Sequence, residues 1–279
     1  MSTAVRAACV IGWPISHSRS PLIHNYWLKR YGIAGSYGSE AVPPDQVAAF
    51  IGSLAARGYA GINVTVPHKE AALAHSHPDD HARAVGAANT LWFDDAGALR
   101  STNTDVEGFL NNLDDSAPGW SKDLSKALVL GAGGAAHAVV CALKHRGVGE
   151  IVVSNRSAPR AMALQKRFGA GVHTLAWNDR NAALADAGLL VNTTTLGMHG
   201  QPELDIAVER LPAHAIVSDL VYVPRLTPLL KAATAHKLRT VEGLGMLLYQ
   251  AVGGFALWFG KRPEVTAELR ALVQADLPA

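Results

Sequence analysis

A cluster of small residues between two apolar runs is the first part of the sequence that could bind a ligand. The run from Lys126 to Leu130 is typical of a buried strand, and the residues from Ala136 to Val140 are typical of an apolar helix. The turn between them is formed by Gly131, Ala132, Gly133, Gly134 and Ala135. Such a turn lets the backbone approach a pyrophosphate, and the N-terminus of the helix attracts its charge. The alternative is an ordinary tight turn, but the run of further strand and helix segments around it favours a dinucleotide site.

Basic residues follow the next strand, at the point where many dinucleotide-binding folds carry an acid. The strand ends near Ser154 and is followed by Asn155, Arg156 and Ser157, with Arg160 one helical turn later. An acid here would hold the ribose hydroxyls of NAD, whereas guanidinium groups suit the 2′-phosphate of NADP. The alternative is that both arginines are solvated charges at the start of a surface helix. The residue types favour NADP.

Two serines near the start of the chain could hold a carboxylate. Ser18 and Ser20 are two residues apart in a segment that we expect to be extended, so their hydroxyls would point to one side. Pro21 follows, as is typical of the first turn of a helix, and the dipole of that helix would attract an anion. For Ser20 the alternative is a simple N-cap.

Polar and apolar residues alternate in the segment from Gly61 to Lys69. The apolar residues would face one side of a strand, and Asn63 and Thr65 would face the other, towards a binding site or towards solvent. Lys69 would lie in the first turn of a short helix, where the helix dipole disfavours a cation. This placement is a mild sign of function, and a solvated surface lysine is the alternative.

Three further polar residues, Asn89, Asp105 and Gln250, are candidates for a site. The structural alternative for Asn89 is a polar residue at the end of a strand. For Asp105 it is an acidic residue that stabilises a helix N-terminus. Gln250 lies midway along an apolar helix with Met246 on the same face, and a buried amide must hydrogen-bond to backbone groups or to a ligand. The twelve histidines show no ligand spacing such as HExxH, so we predict no metal site.

The first hundred residues alternate strand-like and helical segments. The expected strands are Ala8–Gly12, Ser36–Val42 and Gly61–Val66. The expected helices are one capped by Ser20 and ended by Gly32, and one from Pro44 to Arg57 closed by Gly58. Asn89–Phe93 and Ala98–Thr102 look like an antiparallel hairpin, which predicts a mixed sheet. The fold class of this part is a mixed-sheet α/β substrate-binding domain over residues 1–104.

A second α/β region follows. Thr104 and Glu107 fit a capping box, so a helix should begin at the boundary. The strand-like runs beyond it are Ala127–Leu130, Ile151–Ser154, Val172–Leu175, Leu189–Thr193 and Ala215–Val221. Their alternation with helical segments predicts a doubly wound parallel sheet, a Rossmann-type NADP-binding domain over residues 105–242. Two helices, Leu244–Phe259 and Pro263–Val273, should follow, and we expect residues 243–279 to pack back on the first domain.

Composition and charge exclude several classes of protein. The chain has 279 residues, of which 49% are hydrophobic and 17% charged, as in a globular protein and not a disordered one. A net charge of +2 with no basic run gives no support for a nucleic-acid or membrane partner. Cys9 and Cys141 lie in apolar stretches, as buried thiols do in a reducing compartment. Pro14 interrupts the apolar stretch near the N-terminus, so we expect no signal peptide and a cytoplasmic location.

Taken together, these segments resemble the shikimate dehydrogenase family over nearly the whole chain. The order and spacing of eight motifs carry the resemblance. They are Gly12–Pro21, Asn63–Lys69, Gly86–Thr90, Asn103–Asp105, Gly131–Ala136, Asn155–Ser157, Asp219–Tyr222, and Gly243–Met246 with Gln250. Each motif alone could be structural, but their joint order makes coincidence implausible.

The resemblance implies an activity and a set of site residues. Members of this family reversibly reduce 3-dehydroshikimate to shikimate with NADPH, in the route to aromatic amino acids. The implied catalytic pair is Lys69 and Asp105, and Ser18 and Ser20 would bind the substrate carboxylate. The remaining implied substrate-binding residues are Asn63, Thr65, Asn89, Tyr222 and Gln250, with Asp105 also contacting a ring hydroxyl. The implied cofactor contacts are the glycine turn, Asn155 to Ser157, Arg160, Leu220, Gly243 and Met246.

Two other functions are consistent with the same motifs. A related enzyme that acts on quinate or aminoshikimate would carry almost the same residues, although the NAD-using quinate branch tends to place an acid near position 156. An NADP-binding sensor without catalysis would be favoured if Lys69 or Asp105 were absent, but both are present. The oligomeric state is left open, with a homodimer as one option.

Overall fold

The computed structural model describes residues 6–278, which divide into two compact units. The first unit holds residues 6–104 and 248–276, and the second holds residues 105–247 and 277–278. The division falls inside helix α9 (Gly243–Phe259), between Leu247 and Leu248. The first unit is therefore completed by the C-terminal part of the chain.

The first unit is built on a six-stranded mixed sheet. Its strands are β1 (Arg6–Gly12), β2 (Gly35–Ala41), β3 (Tyr59–Val64), β4 (His77–Pro78), β5 (Thr90–Phe93) and β6 (Leu99–Thr102). They lie in the order β2-β1-β3-β5-β6-β4. Strand β1 is parallel to β2 and β3, whereas β5 is antiparallel to β3 and β6. The prediction of a mixed sheet that contains an antiparallel hairpin, β5 with β6, is confirmed.

Helices cover both faces of this sheet. They are α1 (Ser20–Tyr31), α2 (Val47–Gly52), α3 (Lys69–Ala74), α4 (Asp80–Val85), the second part of α9, and α10 (Ala267–Ala275). Phe50 of α2 belongs to an aliphatic core with Ile62 and Leu91 of the sheet. A separate aromatic cluster joins α1 to α9, where Trp27 lies 5.4 Å from Phe255 between ring centroids. The apolar stripe of α9 therefore forms part of the core of the first unit.

Three predicted helix boundaries are wrong. Ser20 is the first residue of α1 and not its N-cap, because Arg19 occupies the cap position. The helix expected from Pro44 to Arg57 is a 3-10 turn (Pro44–Gln46) followed by the short α2, which ends where the Ser53 hydroxyl donates to the Phe50 carbonyl. Helix α10 begins at Ala267 and not at Pro263, because the hydroxyl of Thr266 accepts from the amide of Leu269. At the end of α2 and at the start of α10, a side-chain hydrogen bond lies at the boundary.

The second unit contains a six-stranded parallel sheet. Its strands are β7 (Lys126–Leu130), β8 (Glu150–Asn155), β9 (Val172–Ala176), β10 (Leu189–Asn192), β11 (Ile216–Asp219) and β12 (Arg239–Val241), in the order β12-β11-β10-β7-β8-β9. Its helices are α5 (Asp105–Ser116), α6 (Gly134–His145), α7 (Ala158–Phe168), α8 (Pro228–Ala235) and the start of α9, with 3-10 turns at Trp177–Ala183 and Val208–Arg210. The chain runs outward from β7 in one direction and then from β10 in the other, which is the Rossmann-type arrangement. The predicted doubly wound parallel sheet is confirmed.

Two strands were not predicted, and both are short. Strand β4 has two residues and pairs with β6, and β12 has three residues and pairs with β11. Neither is long enough to show an alternation of polar and apolar residues, so no periodic signal is available.

Helix α9 carries no charged residue, yet it is a core helix. Its buried residues include Leu244, Ala251, Phe255 and Trp258, each at most 1% exposed. Over residues 6–278 no helix has both the length and the apolar character needed to cross a membrane. The prediction of a buried core helix for this segment is confirmed.

Candidate active site

The two serines lie at the start of α1. The hydroxyl of Ser18 accepts from the amide of Ser20 over 3.3 Å, so Ser18 satisfies a backbone donor of the first helical turn. Ser20 is buried, with 7% of its surface exposed, and Pro21 occupies the next position. Ser20 lies in the first turn of α1, one turn before His24, whose ring stacks on Tyr37.

Asn63 lies near the end of β3, and both the oxygen and the nitrogen of its side-chain amide form hydrogen bonds. The hydroxyl of Tyr37 donates to its Oδ1 over 2.6 Å. Its Nδ2 donates to the carbonyl of Asn89 over 3.2 Å and to the hydroxyl of Thr90 over 3.0 Å. Thr65 follows β3 and is half-buried, with its amide donating to the carbonyl of Ile11 over 2.9 Å. Asn63 is therefore part of a buried polar network and not a solvent-facing residue.

Asn89 is the second centre of this network. Its Oδ1 accepts from the amide of Thr104 over 2.8 Å and from the hydroxyls of Thr90 and Thr104 over 3.0 and 3.1 Å. Its carbonyl accepts from the amide of Val64 over 2.8 Å. Asn89 is 3% exposed. The network thus joins the carboxyl end of β3 to the start of β5, and the structure brings Tyr37, Asn63 and Asn89 together as a connected set.

The backbones of α3 and α9 carry Lys69 and Gln250. Lys69 is the first residue of α3, as predicted, and its carbonyl accepts from the amide of Ala88, which precedes Asn89. Lys69 is half-buried. Gln250 is one helical turn before Gly253, where α9 lies against the side chain of Thr104.

The glycine turn of the second unit lies at the carboxyl end of β7, where the strand order reverses. Gly131 has a φ of +111°, and a methyl group there would collide with the hydroxyl of Thr193. Gly133 is extended and occupies the N-cap position of α6 without a side-chain cap. The first amides of α6 therefore face the switch point of the sheet, as a pyrophosphate site requires. Ala132 is 6% exposed, and Gly134 and Ala135 form the first turn of the helix.

The residues after β8 keep the basic character that the sequence indicates. Asn155 ends β8, and its Nδ2 donates to the carbonyl of Ser157 over 2.9 Å. Ser157 occupies the N-cap position of α7. Arg156 and Arg160 are both exposed. The two guanidinium groups therefore lie at the carboxyl end of the strand next to β7, where the adenosine ribose of a dinucleotide binds in such folds.

A buried carboxylate ties together the loops after β10 and β11. Asp219 accepts from Asn192 over 2.9 Å, from the amide of Val221 over 3.0 Å and from the hydroxyl of Thr227 over 2.6 Å. Burial raises the pKa of Asp219 to about 6, and the three hydrogen bonds partly oppose this. Asn192 also accepts from the amide and the hydroxyl of Thr194. These contacts fix the backbone at the carboxyl ends of two neighbouring strands.

The remaining candidates of the second unit lie around the loop after β11. The amide of Leu220 donates to the carbonyl of Asn192 over 3.0 Å. Gly243 begins α9 directly against the carbonyl of Leu220, and any side chain at Gly243 would collide with it. Met246 lies one turn further along α9, and Tyr222 lies two residues after Leu220. Asp105 is the first residue of α5 in this unit, as predicted.

Sequence reasoning missed the residues that hold the site residues in place. Tyr37, Thr90 and Thr104 complete the network of the first unit, and Asn192 and Asp219 complete that of the second. A usable signal was present for Asn192 and Asp219, because polar residues at the ends of adjacent buried strands meet at one edge of a sheet. Among residues 6–278, no three His, Cys, Asp or Glu residues are grouped as a metal would require.

Comparisons with known proteins identify the family. Residues 10–91 match the shikimate dehydrogenase substrate binding domain, residues 118–201 match the shikimate / quinate 5-dehydrogenase family, and residues 243–272 match the shikimate 5′-dehydrogenase C-terminal domain. A shikimate dehydrogenase (NADP(+)) of Rhodopseudomonas palustris strain TIE-1 is 62% identical over 277 residues, which cover 99% of each chain.

Two solved structures match over nearly the whole length. One is shikimate 5-dehydrogenase from Thermus thermophilus in complex with NADP(H) and shikimate, with a TM-score of 0.86, 34% identity, and coverage of 98% of this chain and 100% of that chain. The other is quinate dehydrogenase from Corynebacterium glutamicum in complex with NAD, with a TM-score of 0.89, 29% identity, and coverage of 97% and 99%. The chain belongs to the shikimate dehydrogenase family.

Proposed function

We propose that this chain is an NADP-dependent shikimate dehydrogenase, which reversibly reduces 3-dehydroshikimate to shikimate in aromatic amino acid biosynthesis. The observation that carries the proposal is the presence, in one chain, of a glycine turn at the switch point of a parallel sheet and a buried polar network that includes Asn63 and Asn89. The relatives at about 60% identity that carry this name over the whole chain length support it.

The second unit fits NADP on its own residues. The uncapped start of α6 and the positive φ of Gly131 leave room for a pyrophosphate next to backbone amides. Arg156 and Arg160 are exposed where a 2′-phosphate would lie, and Asn155 and Ser157 complete this end of the site. Leu220, Gly243 and Met246 form the opposite end, beyond β10 and β11. When bound, NADPH supplies the hydride of the reduction.

Lys69 is the residue that we assign to proton transfer. Reduction of a ketone develops negative charge on its oxygen, and the ammonium group of Lys69 would stabilise that charge and deliver a proton to it. In the oxidative direction the same nitrogen accepts the proton. Asp105 is the carboxylate that acts with Lys69 by orienting the ammonium group and a substrate hydroxyl.

The other polar residues bind the substrate in this proposal. Ser18 and Ser20, at the N-terminus of α1, hold the carboxylate of shikimate, and the helix dipole adds to the attraction. The ring hydroxyls are bound by side chains that can donate or accept hydrogen bonds and that lie in or beside the Asn89 network. They are Asn63, Thr65, Asn89 and Gln250, and Tyr222 completes the set.

The test measures reduction of the nicotinamide cofactor through the absorbance of its reduced form. The purified protein is mixed with shikimate, quinate or no substrate, each with NADP or NAD. We expect activity with shikimate and NADP. Better activity with quinate or with NAD would move the protein to a related branch, and no activity with any pair would favour a cofactor-binding sensor.

We also place the protein in the cytoplasm. The two free cysteines, Cys9 and Cys141, are both buried, which supports a reducing compartment.

A further inference from the structure

Tyr37 is a buried residue that has no role in the proposed mechanism. It is the one buried residue of β2, a strand otherwise made of small and polar residues, and 4% of its surface is exposed. Its hydroxyl reaches across β1 and donates to Oδ1 of Asn63 on β3 over 2.6 Å. The edge strand of the sheet thus supplies a hydrogen bond to a proposed substrate-binding residue two strands away.

The carbonyl of Asn89 determines which way the amide of Asn63 faces. Both N–H groups of Asn63 are used, one by the carbonyl of Asn89 and one by the hydroxyl of Thr90. A flipped amide would set Oδ1 against the Asn89 carbonyl, two acceptors with no proton between them, whereas the observed orientation presents Oδ1 to the hydroxyl of Tyr37. The amide is therefore locked, and the second lone pair of Oδ1 is its remaining hydrogen-bonding position. A hydroxyl that meets Asn63 must donate to it.

Tyr37 is itself held from the side of α1. Its ring stacks on His24 at 4.0 Å between centroids and 9° between planes. Burial raises the pKa of Tyr37 well above its ordinary value, so the phenol keeps its proton as a donor. The ring stack and the bond to Asn63 therefore hold the phenol at both ends.

We propose that Tyr37 is a positioning residue that sets the substrate specificity of the first unit. It holds the side-chain oxygen of Asn63, the asparagine that accepts from a ring hydroxyl, in one fixed position. A cyclic acid with a donating hydroxyl at the matching position is then preferred over one that lacks it. This inference rests on the proposed function, because it takes shikimate as the substrate.

The first test is Tyr37→Phe, which removes one oxygen and keeps the stacked ring. We expect the KM for shikimate to rise about tenfold or more, which corresponds to about 1.4 kcal/mol, with the KM for NADP within about twofold of wild type. The matched control is Tyr59→Phe, which removes a hydroxyl that donates to Glu40 over 2.9 Å in the same unit. The control should keep the wild-type KM for shikimate, and an unchanged KM in Tyr37→Phe overturns the inference.

The second test asks whether Tyr37 acts through Asn63. In a double-mutant cycle of Tyr37→Phe and Asn63→Ala, we expect the effect of the first change on kcat/KM for shikimate to be largely lost when Asn63 is already absent. A general loss of packing would instead give additive effects, which would overturn the inference. The activity of the wild-type protein distinguishes the two proposals. If wild type does not oxidise shikimate with NADP, the proposed function is wrong. If wild type is active but the effects of the two substitutions on kcat/KM are additive, only the role of Tyr37 is wrong.

Discussion

At the scale of single residues, buried hydrogen bonds orient the two asparagines of the candidate substrate site. Asn63 and Asn89 each bond to several protein groups, which restrains the direction of their side-chain amides. The sequence places Asn63 on the polar face of an alternating strand, but the substrate-binding role of Asn63 and of Asn89, which directly precedes β5, comes from the family resemblance. It could not predict Tyr37, since a hydrogen bond that crosses an intervening strand leaves no local pattern.

His24 is a residue whose burial should be visible in the pH dependence of stability. Its ring is fully buried, neither ring nitrogen meets a partner at hydrogen-bond geometry within residues 6–278, and burial lowers its pKa to about 3. The unfolded chain therefore takes up a proton between pH 6.5 and 3 that the folded chain does not. The contribution of His24 to the free energy of unfolding is fully present above pH 6.5. It is lost as the pH falls, by about 3 kcal/mol at pH 4.5.

His24→Phe keeps the stacked ring and removes the titrating group. We expect its free energy of unfolding, measured by denaturant titration, to fall less than that of wild type between pH 7 and 4.5. The control His75→Gln changes an exposed histidine at the end of α3 and should follow the wild-type curve. An equal acid loss in His24→Phe and wild type would contradict this role.

At the scale of elements, function lies at the carboxyl ends of strands. The sequence predicted most strands of both sheets within two residues, because buried strands of four to seven residues carry a clear apolar pattern. It failed for α2 and for the start of α10, where Ser53 and Thr266 end or begin a helix through one side-chain hydrogen bond. Such bonds depend on geometry that a periodic pattern does not contain.

The junction of β8 and α7 should set the choice of cofactor. Arg156→Ala removes one of the two exposed guanidinium groups at that junction. We expect kcat/KM with NADP to fall about tenfold, the loss of one charge-assisted hydrogen bond, while activity with NAD stays the same. Lys166→Ala removes the same charge at the other end of α7 and should leave the ratio of NADP to NAD activity as it is. An unchanged ratio in Arg156→Ala would refute the role of this residue.

The loops after β10 and β11 should respond to pH through Asp219. Its folded pKa of about 6 lies above the ordinary value of 3.8, so the folded chain binds the extra proton. The resulting stability is fully present below pH 3.8 and is lost as the pH rises through 6, by about 3 kcal/mol in all. This is opposite in sign to the effect of His24.

Asp219→Asn should remove that loss. Relative to wild type, we expect the variant to become more stable as the pH rises from 4 to 7 in thermal or denaturant unfolding. Asp179→Asn, at an exposed position of the same unit, should show no such trend. A stability difference between Asp219→Asn and wild type that does not vary with pH would rule out a titrating Asp219.

At the scale of the whole molecule, two units with different sheets carry the two halves of the chemistry. The first unit has a mixed sheet with the substrate network, and the second has a parallel sheet with the glycine turn. The sequence predicted both sheet types from the order of strand and helix segments. It did not predict strand β12. It also did not predict that the two units divide within α9, because a continuous apolar helix carries no sequence signal of where one unit ends.

The most direct test of the account is the turnover of Lys69→Ala with shikimate and NADP, because the account assigns proton transfer to this one side chain. We predict a fall of about 10²- to 10⁴-fold in kcat, with the Kd for NADP within about twofold of wild type. Lys29→Ala, an exposed lysine of the same unit, should keep the wild-type rate. Near-normal turnover in Lys69→Ala would contradict the account.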